Sequence, residues 1–414
     1  MDAFPRFFQD ADPLAVPDKP SRGQAVKMLH RIASSAARAP PVERSILAQE
    51  RCVTRLIQGI GLAGSAPDML SAAATLHPGQ VASVAWSLAA LGGGNLFQDQ
   101  MTALCRGALS PDGEPGIVAA LSPAQCADLV WALGAARHWD GCLSRIAGRL
   151  AGSGRGLGAL GPGGLKPSKL TSLLWGFAAL DSPPHALLRL LPEGWEGVCG
   201  TGLAGFTVRQ LASLAWSLAV MELERSPQGD ALWRELVARG ASEMEGAGDR
   251  ACNQVWQFVA CRQLAAHGPE AEGWFTAGLD AEEAGVAEVA ARAWKAGPGG
   301  AKTRTQPSRY QEHVVHALIR EGMTDFKEED VSIGLSVDVA VPSLRVAIEV
   351  DGPTHLARTT GRPLGHTALK RRMIGLLGWT PLPVTGQELD EHSTTPERAA
   401  LILRKMEAAG VSRV

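Results

Sequence analysis

The sequence predicts an α-solenoid of helical-hairpin repeats followed by a small α/β domain. Three observations carry that expectation. An apolar segment centred on tryptophan recurs five times; residues 296–308 are rich in glycine and proline; and beyond them the hydrophobic period changes from helical to alternating. With 414 residues the chain is longer than one hydrophobic core usually supports, so a repeat array or several domains is expected. Few aromatics (5%) disfavour a β-rich fold.

The first 21 residues, MDAFPRFFQDADPLAVPDKPS, mix acids and prolines and are expected to be disordered. A transit peptide would be rich in arginine and serine and poor in acids, so none is legible there. No apolar run is long enough to span a bilayer, and no membrane role is expected.

Residues 22–295 read as the helical array. Its tryptophans are Trp86, Trp131, Trp175, Trp216 and Trp256, spaced 45, 44, 41 and 40 residues apart. Two residues after each lies Leu88, Leu133, Phe177, Leu218 or Phe258, and most of each segment's circumference is apolar. A helix of that kind must be packed on several sides, as the inner helix of a stacked hairpin is. Proline stands eight residues before the first three tryptophans (Pro78, Pro123, Pro167), where its missing N–H costs the first turn nothing. Amphipathic segments Gln98 to Leu109, Cys142 to Ala151 and Asp230 to Ala241 supply the second helices, and 22–62 reads as a degenerate first unit.

A polar stripe runs through the repeats. Six residues before the tryptophans lie Gln80, Gln125, Lys169, Gln210 and Arg250, and helical neighbours three residues on are Ser83, Asp128, Ser172, Ser213 and Asn253. Such donors and acceptors, one set per unit, suit the base edges of single-stranded RNA; an ordinary solvated ridge is the other reading. The tryptophans themselves, set among Leu, Val and Ala, read as core.

The seven cysteines are scattered without a C-x-x-C pair, which argues against a zinc site or a disulfide framework and fits a reducing compartment. A net charge of −2 hides no strongly basic half, so any phosphate contact has to come from local patches.

Residues 296–308 read as a linker and 309–414 as the α/β domain: a helix from Arg309, strands over Val331 to Val341, Arg345 to Asp351 and Trp379 to Val384, a basic helix over Leu364 to Leu377 and a closing helix over Pro396 to Ala409. In AIEVDGPTHL, Glu349 and Asp351 share one strand face and Ile348 and Val350 the other. Antiparallel pairing about Pro342 to Arg345 sets Asp338 opposite Glu349. Three carboxylates so placed need a cation, an arginine or a raised pKa, and His355 is in reach of them. Oxygen ligands on adjacent strands, Asp338 and Glu349, suit Mg²⁺, which polarises a scissile phosphate or activates water. From Gly352 to Gly378 there is no acid but Arg358, Arg362, Lys370, Arg371 and Arg372, a candidate phosphate-contacting set.

The runs DVAVPSLRVAIEVDGPTHL and TTGRPLGHTALKRRMIGLLGWTPLPV resemble a RAP domain over Val337 to Leu389. WSLAALG and WALGAAR resemble octotricopeptide-type repeats, also found beside RAP domains in relatives of the Fas-activated serine/threonine kinase group. The resemblance implies an organellar RNA-binding protein acting in processing or transcript stability, in the mitochondrial matrix ahead of the chloroplast, with single-stranded RNA and other RNA-processing proteins as partners. Binding needs no cofactor.

The domain is also similar to very-short-patch-repair endonucleases of the PD-(D/E)XK class. On that comparison Glu312, Asp338 and Glu349 take acidic positions and Asp351 stands where the class has lysine. An Mg²⁺-dependent endoribonuclease using Asp338, Glu349, Asp351, His355 and Glu312 is therefore the alternative function, and a protein-binding scaffold the second alternative.

Overall fold

A computed structural model describes residues 17, 19–37, 39–92, 96–108, 117–152, 165–193, 195–196, 198–297, 308–331 and 333–411. The expected disordered segment 1–21 and linker 296–308 fall largely outside these. Among the described residues there are 19 α-helices and one four-stranded sheet. No helix of theirs is long and apolar enough to cross a membrane. The chain divides into two compact units, residues 1–205 with 358–360, and 206–357 with 361–414. The division at 205/206 lies inside the expected array, and the expected boundary at 296–308 lies inside the second unit.

In the first unit, the helices Arg22–Ala36, Pro78–Gly92, Pro123–Ala135 and Pro167–Ala179 pack side by side in that order. The three expected prolines each open a helix. Leu88, Leu133 and Phe177 are fully buried, each such side chain contributing about 1.5–3 kcal/mol. His30, Trp86, Trp131 and Trp175 form a tilted ladder with ring centroids 5.0, 5.9 and 6.4 Å apart. These three indoles are only half-buried, so they line the seam between helices rather than fill the core. The seam is narrow because of two glycines: a Cβ on Gly176 would lie 2.5 Å from Val130 O, and one on Gly134 would lie 2.9 Å from Gly176 Cα. Two of the helices end alike. Six residues after their tryptophans, Arg137 and Asp181 adopt φ of 54° and 47°. Each closes a Schellman motif: His138 N donates to Leu133 O (2.9 Å) and Ser182 N to Phe177 O (3.0 Å).

The second unit begins with three more packed helices, Val208–Val220, Asp249–His267 and Ala281–Ala296, with Pro227–Ala247 alongside, kinked at Gly240 (φ 78°). The first ends as the earlier ones do, with Glu222 at φ 60° and Leu223 N donating to Leu218 O (2.8 Å). Here the tryptophans are core: Trp216 and Trp256 are buried, and Trp256 stacks on Trp294 at 3.9 Å and 6°. Trp294 Nε1 donates to Gly334 O (3.2 Å), tying the last of these helices to the α/β fold.

That fold is a sheet in the order β1 (Lys327–Asp330), β2 (Val337–Val341), β3 (Val346–Asp351), β4 (Thr380–Thr385). The first two pairings are antiparallel and β3–β4 is parallel. The helix Gly365–Leu376 makes the crossover that a parallel pair requires. The strand expected over 331–341 starts only at Val337, and β1 lies before it: KEED is too charged to read as a strand, yet it holds the solvated edge. One sheet face presents Val339, Val341, Val346, Ile348, Leu382 and Val384 to the helices Arg309–Arg320 and Thr395–Ala408.

Candidate nucleic-acid interface

The β2–β3 register, Val339 on Ile348 and Ala340 on Ala347, extends by one step to set Asp338 beside Glu349, as the spacing about Pro342 predicts. Asp338, Glu349 and Asp351 share the sheet face opposite the aliphatic core. They are not wet. Glu349 and Asp351 are 6% and 3% exposed, because the helix Gly365–Leu376 covers this face.

The covering helix answers the carboxylates residue by residue. Lys370 Nζ donates to Glu349 Oε2 and Arg371 Nη2 to Asp351 Oδ2. Asp338 Oδ2 accepts from Val350 N at 2.7 Å. His355 Nδ1 lies 3.8 Å from the other Asp351 oxygen and 3.4 Å from Thr367 Oγ1, which donates to His355 O (3.2 Å). Burial lifts Glu349 to about 7 against the pull of Lys370, and burial likewise raises Asp338. Glu349 Oε1 is buried without a hydrogen-bond partner.

The five basic residues therefore separate into three groups. Arg372 turns away from the cluster: its Nη2 lies 3.0 Å from Glu224 Oε1, on the segment after the Val208–Val220 helix. Lys370 and Arg371 are engaged with carboxylates, their side chains 33% and 21% exposed. Arg358 and Arg362, on the loop before the helix, are exposed. Arg358–Thr360 cluster with the first unit, where Arg358 N donates to Arg137 O (3.0 Å) and Thr359 Oγ1 to Trp139 O (2.5 Å). Glu312 is exposed on the first turn of Arg309–Arg320, and among the described residues no hydrogen bond or ion pair joins it to the cluster.

Of the candidate metal ligands, Asp338 and Glu349 are adjacent, and the orphaned Glu349 Oε1 is a chemically suitable oxygen. A divalent ion there would meet the Lys370 ammonium already seated on the same carboxylate. Among the described residues, the one set of three His, Cys, Asp or Glu ligand atoms mutually within 4.8 Å is elsewhere, at Cys105, His138 and Asp140.

The polar stripe of the helical array has a local cause. Gln125 and Gln210 are third residues of their helices, and their Oε1 atoms accept from Ser122 N (2.8 Å) and Thr207 N (2.9 Å) in capping boxes. Gln80 accepts from His77 N (3.0 Å) in the same way. Lys169 pairs with Asp128 on the preceding repeat. Ser87 and Ser217 are fully buried and donate to Ser83 O (2.7 Å) and Ser213 O (2.8 Å). Arg250 stays exposed and lines a cleft of about 430 Å³ with Arg209, Ser213, Gly248, Asp249 and Gln254. Sequence reasoning missed Arg209 and Glu224, since neither sits at a repeated position.

Residues 348–405 match the family described as RAP domain. Over 397 residues the chain is 24% identical to "RAP domain-containing protein, chloroplastic" of Oryza sativa subsp. japonica, a match covering 87% of this chain and 56% of that protein. The chain thus spans about half the length of the curated relative it matches. A RAP domain is present here, preceded by helical repeats, and its match begins inside β3 and runs through the covering helix into the closing one.

Proposed function

We propose that this chain binds single-stranded RNA in an organelle, its helical repeats selecting the strand and its RAP domain contacting the backbone, in RNA processing or transcript stability. The observation that carries this reading is the RAP match together with an acid-free loop and helix from Gly352 to Gly378 that leave Arg358 and Arg362 exposed. Two arginines on one loop suit adjacent phosphates, and Lys370, a third exposed, can add to them. The cleft around Arg209 and Arg250 offers cations and amides to a nucleotide within the repeats. The relative's printed name favours the chloroplast over the mitochondrion. Other RNA-processing proteins are natural partners for such a role.

Salt-dependent binding of the full chain to single-stranded RNA tests it. Replacing both Arg358 and Arg362 with Ala is expected to weaken binding and to flatten the slope of log K against log salt by about 0.7 per lost phosphate contact on single strands. An unchanged slope removes the loop from the interface.

One observation favours a second reading, a metal-dependent endoribonuclease: Glu349 Oε1 is buried without a partner beside Asp338. There Asp338 and Glu349 would hold Mg²⁺, which would supply Lewis-acid polarisation of the phosphate. Asp351, His355 and Glu312 are its further candidates. Asp351 is tied to Arg371, and His355, 40% exposed and beside Asp351, would be the one of the three to move a proton at the rim. Equal RNA cleavage, or none, by wild type and Asp338→Asn with Mg²⁺ removes this reading.

A further inference from the structure

Four side chains that the RNA reading does not use meet inside the first unit. Cys105 comes from the helix Gln98–Ala108; His138 and Asp140 come from the connection after Pro123–Ala135; Cys142 opens the helix Cys142–Gly152. Ligand atoms of Cys105, His138 and Asp140 all lie within 4.8 Å of one another. Cys142 stands beside the group, its thiol interacting with the Cys105 thiol and the Asp140 carboxylate, although its sulfur lies outside the set of atoms mutually within 4.8 Å.

Cys105, His138 and Cys142 are each 1% exposed or less. His138 Nδ1 is buried without a hydrogen-bond partner. A polar nitrogen shut from water in this way costs free energy until something satisfies it. Asp140 is already aimed, because its Oδ1 accepts from Cys142 N at 2.8 Å. The backbone aims His138 too: the left-handed turn at Arg137 reverses the chain so that the following residues fold back on the end of the helix.

We propose that Cys105, His138, Asp140 and Cys142 form a structural zinc site joining one helical hairpin to the next. With Cys142 drawn in as the fourth ligand, two thiolates, one imidazole and one carboxylate would give the mixed softness that favours Zn²⁺ over Mg²⁺ or Ca²⁺. The backbone hydrogen bond on Asp140 is the outer support such ligands require. The sequence concealed the site, because Cys105 is separated from His138 by more than thirty residues and no C-x-x-C pair marks it.

The test uses the full chain isolated under reducing conditions. Its zinc content is measured, and the metal is then exchanged for Co²⁺. The expected result is one zinc per chain, intense visible bands of tetrahedral Co²⁺ and a near-ultraviolet thiolate-to-cobalt band. Cys105→Ser is expected to lose about half of that last band, since one of two thiolates is gone. Zinc-free wild type whose added Co²⁺ stays six-coordinate overturns the proposal, and so does a Cys105–Cys142 disulfide in protein trapped with a thiol-blocking reagent. If Cys105→Ser does not fold, the wild-type cobalt spectrum decides alone.

Discussion

Lys370 donates to Glu349 across the gap between the covering helix and β3, while Arg371, the next residue, donates to Asp351 two places along the same strand. The basic helix is therefore first of all the counter-charge of the buried carboxylate face. In the proposed RNA-binding role, only what remains exposed on it is left to meet phosphate.

Truncating Arg371 leaves Asp351 buried with only the more distant His355 beside it. Arg371→Ala is expected to destabilise the protein by about 3 kcal/mol in urea unfolding, the usual cost of stranding one partner of a buried pair. A loss below about 1 kcal/mol would mean that water screens the pair.

Glu349 gives stability a pH dependence. Its carboxyl titrates near 7 in the folded protein and near the ordinary 4.5 when unfolded. Between those values the folded state binds the extra proton, so this group's contribution is complete below about pH 4.5 and is lost as pH rises through 7. Glu349→Gln should remove that slope, gaining on wild type by on the order of 3 kcal/mol between pH 5 and 8. Parallel stability curves would show that Lys370 keeps the carboxylate charged.

Gly176 allows the helices carrying Trp131 and Trp175 to touch. Gly176→Ala is expected to cost about 1–3 kcal/mol, since the added methyl meets backbone. Gly148→Ala, on the helix Cys142–Gly152 with nothing within 4 Å, should instead stabilise by about 0.5–1 kcal/mol. Thermal unfolding of the two variants compares them directly, and equal shifts would contradict the close approach.

Gln210 separates capping from base reading. Gln210→Glu keeps the capping acceptor but replaces the amide donors with charge, so the melting temperature should hold while RNA affinity falls. Gln210→Ala should cost about 1 kcal/mol as well. Unchanged RNA affinity in Gln210→Glu would leave the glutamine a purely structural role.

Much of this arrangement is legible in the sequence because it is local or periodic. Pro78, Pro123 and Pro167 open helices where their missing N–H is harmless, and alternation in 346–351 separates Ile348 from Glu349 whatever packs above. The shared face of Asp338 and Glu349 follows from one short turn. The glutamine stripe was legible as a pattern but not as a cause, since a capping glutamine and a base-reading glutamine recur at the same spacing. β1 was not legible at all, because an edge strand needs only one partner and little apolar character.

By itself, then, the sequence determined the repeats, the strand faces and the presence of acids and bases in the RAP domain, all set by backbone geometry within a few residues. Tertiary structure alone decided that Lys370 and Arg371 neutralise Glu349 and Asp351, that Arg372 goes to Glu224, and that Cys105, His138, Asp140 and Cys142 converge. Those pairings join residues far apart in the chain, and the free energy that selects them, desolvation offset by an opposite charge or a ligand, exists only once burial has removed the water.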